Sequence, residues 1–162
     1  MSPSLIGVAV LGCVDYRPQW FYPTPRGVRE QAFNYFYDIA NAPYGTLAAN
    51  STQENIPLMI ETGSKFMWRG IRLNAAGGPM PMTLLVRFTD PYGNALSSDW
   101  LPVIQYVNPS GSAAGGLPVP IEPEIECPAG GGVLVSFKNT AAVPAGLPDV
   151  TLYGVKRYEG VS

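Results

Sequence analysis

A chain of 162 residues is long enough to bury one core and too short for two full domains. Charged residues are 14% of it, 10 basic against 12 acidic, so the net charge of −2 leaves no cationic excess to neutralise a phosphate backbone, and nucleic acid is not an expected partner. Histidine is absent, which removes Ser-His-Asp and Cys-His catalysis, imidazole metal ligation and the ordinary pH switch; no enzyme activity and no cofactor is expected. A hydrophobic fraction of 46% is ample for a core, and 18 glycines with 17 prolines cut the chain into short segments.

Residues 1–31 read as an extended arm. An apolar run is followed by Tyr16, Trp20, Phe21 and Tyr22 among Pro18, Pro23 and Pro25, a composition that fixes φ and removes donors. The apolar run lacks a basic segment ahead of it, since the first charge is Asp15 and the first cation Arg17, so it is not expected to act as a secretion signal. No run nears eighteen apolar residues, and no membrane is expected as a partner. Leu5, Ile6, Val8, Val10, Trp20, Phe21 and Tyr22 have little reason to face water. They fit either a strand that completes the domain's own sheet or contacts with a neighbouring subunit.

Residues 32–162 read as one β-sandwich domain. Phe33, Tyr35 and Tyr37 alternate in an aromatic segment, where a short helix is the competing reading. Residues 55–60 make a strand that Pro57 confines to an edge or a beginning. Phe66 and Trp68 alternate with cations until Gly70, which suggests a bulge. Residues 82–88 form a strand ending in a tight turn written by Asp90, Pro91 and Gly93. The β pattern resumes over 95–107, gives way to a Gly/Ser-rich loop at 108–116, and continues through 119–126, 133–138 and 150–158. Many short strands, Gly/Pro turns and no intervening helices predict an all-β, antiparallel two-sheet sandwich of jelly-roll type.

Candidate chemistry is sparse. Glu122, Glu124 and Glu126 share one face at strand period, about 7 Å apart, too far along one strand to hold a cation unaided. They are expected to form a solvated face, with Pro123, Ile125 and Cys127 pointing inward. No spacing selects a catalytic pair among Asp38, Glu54, Glu61, Asp90 and Asp99. The glycine clusters at 77–78 and 130–132 lack the Lys-Ser/Thr and the helix of a phosphate loop. Cys13 and Cys127 are read as free thiols, although spacing alone leaves pairing open. Tyr92, Trp100 and Trp20 could supply a stacking platform for a glycan, beside the 108–116 loop.

The last third carries a family likeness. Glu126-Cys-Pro-Ala-Gly-Gly-Gly-Val-Leu-Val-Ser-Phe-Lys-Asn-Thr140 and Val150-Thr-Leu-Tyr-Gly-Val-Lys-Arg-Tyr158 resemble the closing hairpin of jelly-roll structural proteins of tailed-phage virions. Glu61-Thr-Gly-Ser-Lys-Phe66, Trp68-Arg-Gly-Ile71 and Phe88-Thr-Asp-Pro-Tyr-Gly-Asn-Ala-Leu-Ser97 are similar to earlier parts of that pattern. The resemblance covers residues 33–158 and leaves the arm out. It implies a non-enzymatic virion component, made in the host cytoplasm, that decorates or cements a capsid. Its implied partners are its own copies, as a homotrimer, and the major capsid or other virion proteins; a neck or tail component is the near alternative.

Overall fold

The computed structural model describes residues 27–75, 80–107 and 117–159. Ten strands follow one another: β1 (Val28–Tyr37), β2 (Thr46–Leu47), β3 (Thr52–Met59), β4 (Lys65–Asn74), β5 (Leu84–Thr89), β6 (Leu101–Pro102), β7 (Val119–Cys127), β8 (Gly132–Asn139), β9 (Ala145–Gly146) and β10 (Asp149–Glu159). They build two four-stranded antiparallel sheets, in the orders β1-β10-β4-β7 and β3-β8-β5-β6, with β2 and β9 as a small ribbon. The chain crosses repeatedly from one sheet to the other, which is the strand exchange of a jelly roll. The core between the layers holds Phe66, Trp68, Leu73, Val150 and Leu152 from the first sheet and Leu58, Leu84, Val86, Val135 and Phe137 from the second.

Strand β1 begins at Val28, inside the segment assigned to the arm from sequence, and pairs with β10 without a register shift from Val28↔Glu159 to Tyr37↔Val150. Phe33, Tyr35 and Tyr37 pack toward the core while Phe36 stands 60% exposed, so the β reading holds over the helical one. Residues 33, 35 and 37 point one way because strand side chains alternate.

The expected bulge lies at Gly70. Trp68 faces Gly154 and Gly70 faces Tyr153, leaving Arg69 without an opposing residue on β10. The extra residue preserves the pattern: Phe66 and Trp68 point inward before it, Ile71 and Leu73 after it, and all are buried. The bulge also satisfies the buried indole, whose Nε1–H donates to the Gly70 carbonyl at 2.9 Å. Gly154 is required opposite, because a Cβ there would collide with the Met67 carbonyl oxygen and lie 2.9 Å from Phe66 Cζ.

Two stretches differ from the sequence reading. Over 95–107 only Leu101–Pro102 is a strand, followed by a single 3-10 turn, Val103–Tyr106. The β-favouring side chains there serve another end: Val103 plugs the core and Tyr106 packs edge-on against Phe88. In β7 the pairing with β4 jumps from Trp68↔Ile125 to Gly70↔Pro120, so the alternation is broken between them. Pro123 is exposed rather than inward, and Glu124 is not solvated as expected.

A candidate interaction surface

The acidic side chains are mostly occupied within the fold. Asp90 Oδ1 accepts the backbone N–H groups of Tyr92 (2.9 Å) and Asn94 (2.8 Å), fixing its turn, and Asp99 accepts that of Trp100. Asp149 accepts the N–H groups of both Ile39 and Ala40, tying the end of β1 to the start of β10. Asp38 accepts from the Asn41 amide. Among the described residues no three metal-ligating side chains come together. A shallow depression of about 290 Å³ lies beside Ser64, Lys65, Tyr158 and Glu159, and its lysine is already paired with Glu126 and Glu159.

Glu124 enters a four-membered ion network on the outer face of the first sheet. Arg69 Nε donates to Glu124 at 2.7 Å, and an Arg69 amino group lies 3.5 Å from Glu30. Arg157 donates to Glu30 at 2.6 Å and reaches Glu124 at 3.5 Å. The four side chains are only 3–14% exposed, and β1, β10, β4 and β7 each contribute one. Two edge strands that never touch through their backbones are therefore linked through charge. Glu126, next in the triplet, pairs with Lys65, and Glu122 is exposed.

The side of the sandwich where β1 lies nearest β3 is closed by aromatic residues. Tyr37 donates its hydroxyl to the Met59 carbonyl at 2.8 Å, and the Tyr35 hydroxyl accepts the Glu61 N–H at 3.3 Å. Lys156 projects inward beneath them, 3.5 Å from the Phe33 ring centroid and 5.6 Å from that of Tyr35, and donates to Glu61. Burial alone would lower its pKa, but the hydrogen bond with Glu61 and the neighbouring charges outweigh it and hold the ammonium above its usual value. Burial pushes the Tyr37 phenol far up.

Of the expected contact residues, Leu5, Ile6, Val8, Val10, Trp20, Phe21 and Tyr22 lie outside the described residues, as do Cys13 and the 108–116 loop. Cys127 is a free, buried thiol, which burial first and the charges of Asp90 and Glu126 next push up to about 12. Tyr92 is 62% exposed in the turn after β5, and Trp100 is half-buried before β6. The ring contacts of the described residues join Phe33, Tyr35, Tyr37, Phe66, Trp68, Phe88 and Tyr106, so Tyr92 and Trp100 do not form a stacked platform with one another.

Four strands of the two sheets are paired on one side only among the described residues: β1, β7, β3 and β6. Three are guarded in ways that discourage further pairing. Strand β7 carries Pro120 and Pro123, and β3 carries Pro57 and an irregularity between Gln53 and Ile56 where Asn55 has φ 57°. Strand β6 is two residues long. Strand β1 is the exception: ten residues, straight in register, with no proline and no charge from Gln31 to Tyr37. Sequence reading missed this edge because strand order is a property of the assembled sheets; the uncharged aromatic run was its only local sign.

The fold defines an all-β jelly-roll domain in which, among the described residues, β1 is the longest strand paired on one side only. No family model, curated protein or solved structure matches the chain.

Proposed function

We propose that the protein is a non-enzymatic structural component of a phage virion, decorating or cementing a capsid through subunit–subunit contacts. The reading rests on the resemblance of residues 33–158 to jelly-roll virion proteins, and one observation in the structure carries it furthest. Among the described residues three sheet edges are guarded and the ten-residue edge of β1 is not, an arrangement that suits joining by another chain. Residues 1–27, ahead of β1, are proposed to add contacts with the shell, and many copies would then hold a lattice by avidity rather than by one tight contact.

The test is the copy number of the chain in purified particles, by quantitative mass spectrometry against the major shell protein. One copy per shell subunit, or a simple fraction of it, supports decoration or cementing. A handful of copies moves the protein to the neck or tail, and absence from particles refutes the proposal. Deleting residues 1–25 is expected to leave the sandwich folded and abolish shell binding.

The exposure of Tyr92 favours one second reading, a glycan- or receptor-binding module that uses Tyr92 and Trp100. Its sign is a weak saccharide response that disappears in Trp100→Ala while the fold survives.

A further inference from the structure

We infer that the outer face of the second sheet docks a protein partner through an extended acidic segment whose carboxylates meet Arg87 and Lys138. The inference does not depend on the virion reading, because it names the chemistry of the partner and not its place.

Most cations of the described chain are already matched. Lys65, Arg69, Lys156 and Arg157 make ion pairs, Arg29 lies over the Tyr158 ring, and Arg72 is engaged as well. Arg87 and Lys138 differ: among the described residues their side chains form no hydrogen bond, ion pair or ring contact. Arg87 Nε is nonetheless buried. The two stand together. Arg87 on β5 faces Ser136 on β8, and Lys138 lies two residues further along β8. Val86, Phe88, Val135 and Phe137 are buried in the core, so Arg87, Ser136 and Lys138 share the outer face. Diagonal neighbours of this kind are about 7–8 Å apart, within reach of long side chains. Ser136, 8% exposed, accepts the Asn55 N–H at 3.0 Å, while its own O–H has no acceptor among the described residues. Three donors without acceptors therefore gather on one patch.

The chain itself does not supply the missing charge. Glu54, the one acid on the strands of this sheet, is exposed and forms no ion pair among the described residues. The stretches outside the described residues contain one acidic side chain, Asp15, against the cations Arg17 and Arg26. In a second copy, the strand acids whose carboxylates have no partner among the described residues are Glu54 and Glu122, and these lie on different sheets. Nucleic acid does not fit two cations in a chain of net charge −2. A free anion would leave the neighbours unused, since half-buried Leu134 and exposed Pro57 and Met59 extend the same face in apolar form. Arginine and methionine are enriched in protein interfaces, and this face offers both. Acidic residues two positions apart on an extended partner stand about 7 Å from each other, which matches the spacing of Arg87 and Lys138.

The experiment uses the full chain, isotope-labelled, and reads backbone amide shifts. The probe is a short capped peptide with two glutamates separated by one valine and flanked by leucines. Sodium acetate and the same peptide with glutamine for glutamate are the controls. The glutamate peptide is expected to move the amides of 85–89 and 134–138, and high salt to weaken it. The glutamine peptide, and the Arg87→Gln/Lys138→Gln variant with the glutamate peptide, are expected to bind at least about tenfold more weakly. Lys138→Gln alone, whose side chain has no polar contact to lose, gives the same test at smaller amplitude should the double variant fail to fold. Equal binding of the glutamine peptide, equal binding by the variants, or no shifts on this face overturns the inference. Acetate producing the same shifts at the same concentration overturns the protein partner in favour of a small-anion site. A concentration-dependent dimer that the variant abolishes makes a second copy the occupant and overturns it too.

Discussion

Replacing Arg69 by methionine tests whether the outer-face ion network holds the first sheet together. The guanidinium is 3% exposed and supplies the 2.7 Å bond to Glu124 as well as the 3.5 Å contact with Glu30. Once it is gone, Glu30 keeps Arg157 at 2.6 Å, but Glu124 keeps Arg157 only at 3.5 Å. Breaking a buried pair by removing one partner costs about 3–5 kcal/mol, because the other charge stays desolvated. The surviving Arg157 contact puts Arg69→Met at the lower end, about 3 kcal/mol. Against a total stability of about 5–15 kcal/mol this is a large fraction, equivalent to roughly 10 °C in Tm for a domain of this size. The double variant Arg69→Met/Glu124→Leu removes both charges and is expected to recover most of the loss. Urea unfolding followed by tryptophan fluorescence, repeated at low and high salt, measures both. The low exposure predicts little salt dependence, whereas Lys65→Met, at the exposed Glu159 pair, gives a small change that salt erases. A loss under about 1 kcal/mol for Arg69→Met would refute the reasoning, and so would a double variant no better than the single one.

Three further outcomes are expected. Gly154→Ala drives a methyl into the Met67 carbonyl at the bulge and costs at least about 3 kcal/mol by equilibrium unfolding, more than an ordinary overpacked core site. Asn139, 1% exposed, donates its amide to the carbonyls of Ala48 (3.1 Å) and Val143 (2.8 Å) and accepts the Ala141 N–H. Asn139→Ala strands those groups, costs about 2–4 kcal/mol, and speeds proteolysis in 40–51 and 140–148. Cys127 stays unmodified by thiol reagents at pH 8 until denaturant is added, as thiol counting on the Cys13→Ser chain will show. Its pKa rises on folding from 9.0 to about 12, so its contribution is complete below pH 9 and is lost as pH climbs from 9 toward 12. Cys127→Ala should flatten that alkaline decline in Tm.

What was legible in the sequence is what depends on near neighbours. The Phe33/Tyr35/Tyr37 alternation, the edge position enforced by Pro57, the bulge at Gly70 and the turn at Asp90 each follow from a few adjacent residues, and all stand in the fold. Residues 101–106 misled because their apolar side chains fill the core from a 3-10 turn as well as from a strand. Glu124 misled for a different reason. Period two places it with Glu122 and Glu126, but its partners Arg69 and Arg157 are 55 and 33 residues away in sequence, and Arg157 meets Glu30 across 127. The closing Asn139 shows the same limit: it ends a strand in the resembling motif, while its role as a hub between two loops appears only when residues 47–48 arrive from the other side. The proposed contact residues of the arm lie outside the described chain, so their part in the surface rests on sequence alone.

The two tyrosine hydroxyls at the β1–β3 side have a mechanical meaning. The attraction between apolar layers is non-directional and does not by itself name fixed points of attachment. Hydrogen bonds are directional, and those of Tyr37 to Met59 and Glu61 to Tyr35 join one layer to the other at fixed points. A tangential force on either sheet therefore meets bonds that must break before the layers can slip. Load entering at the β1 edge would pass through these rungs into the second layer, and the domain would turn as a block instead of shearing.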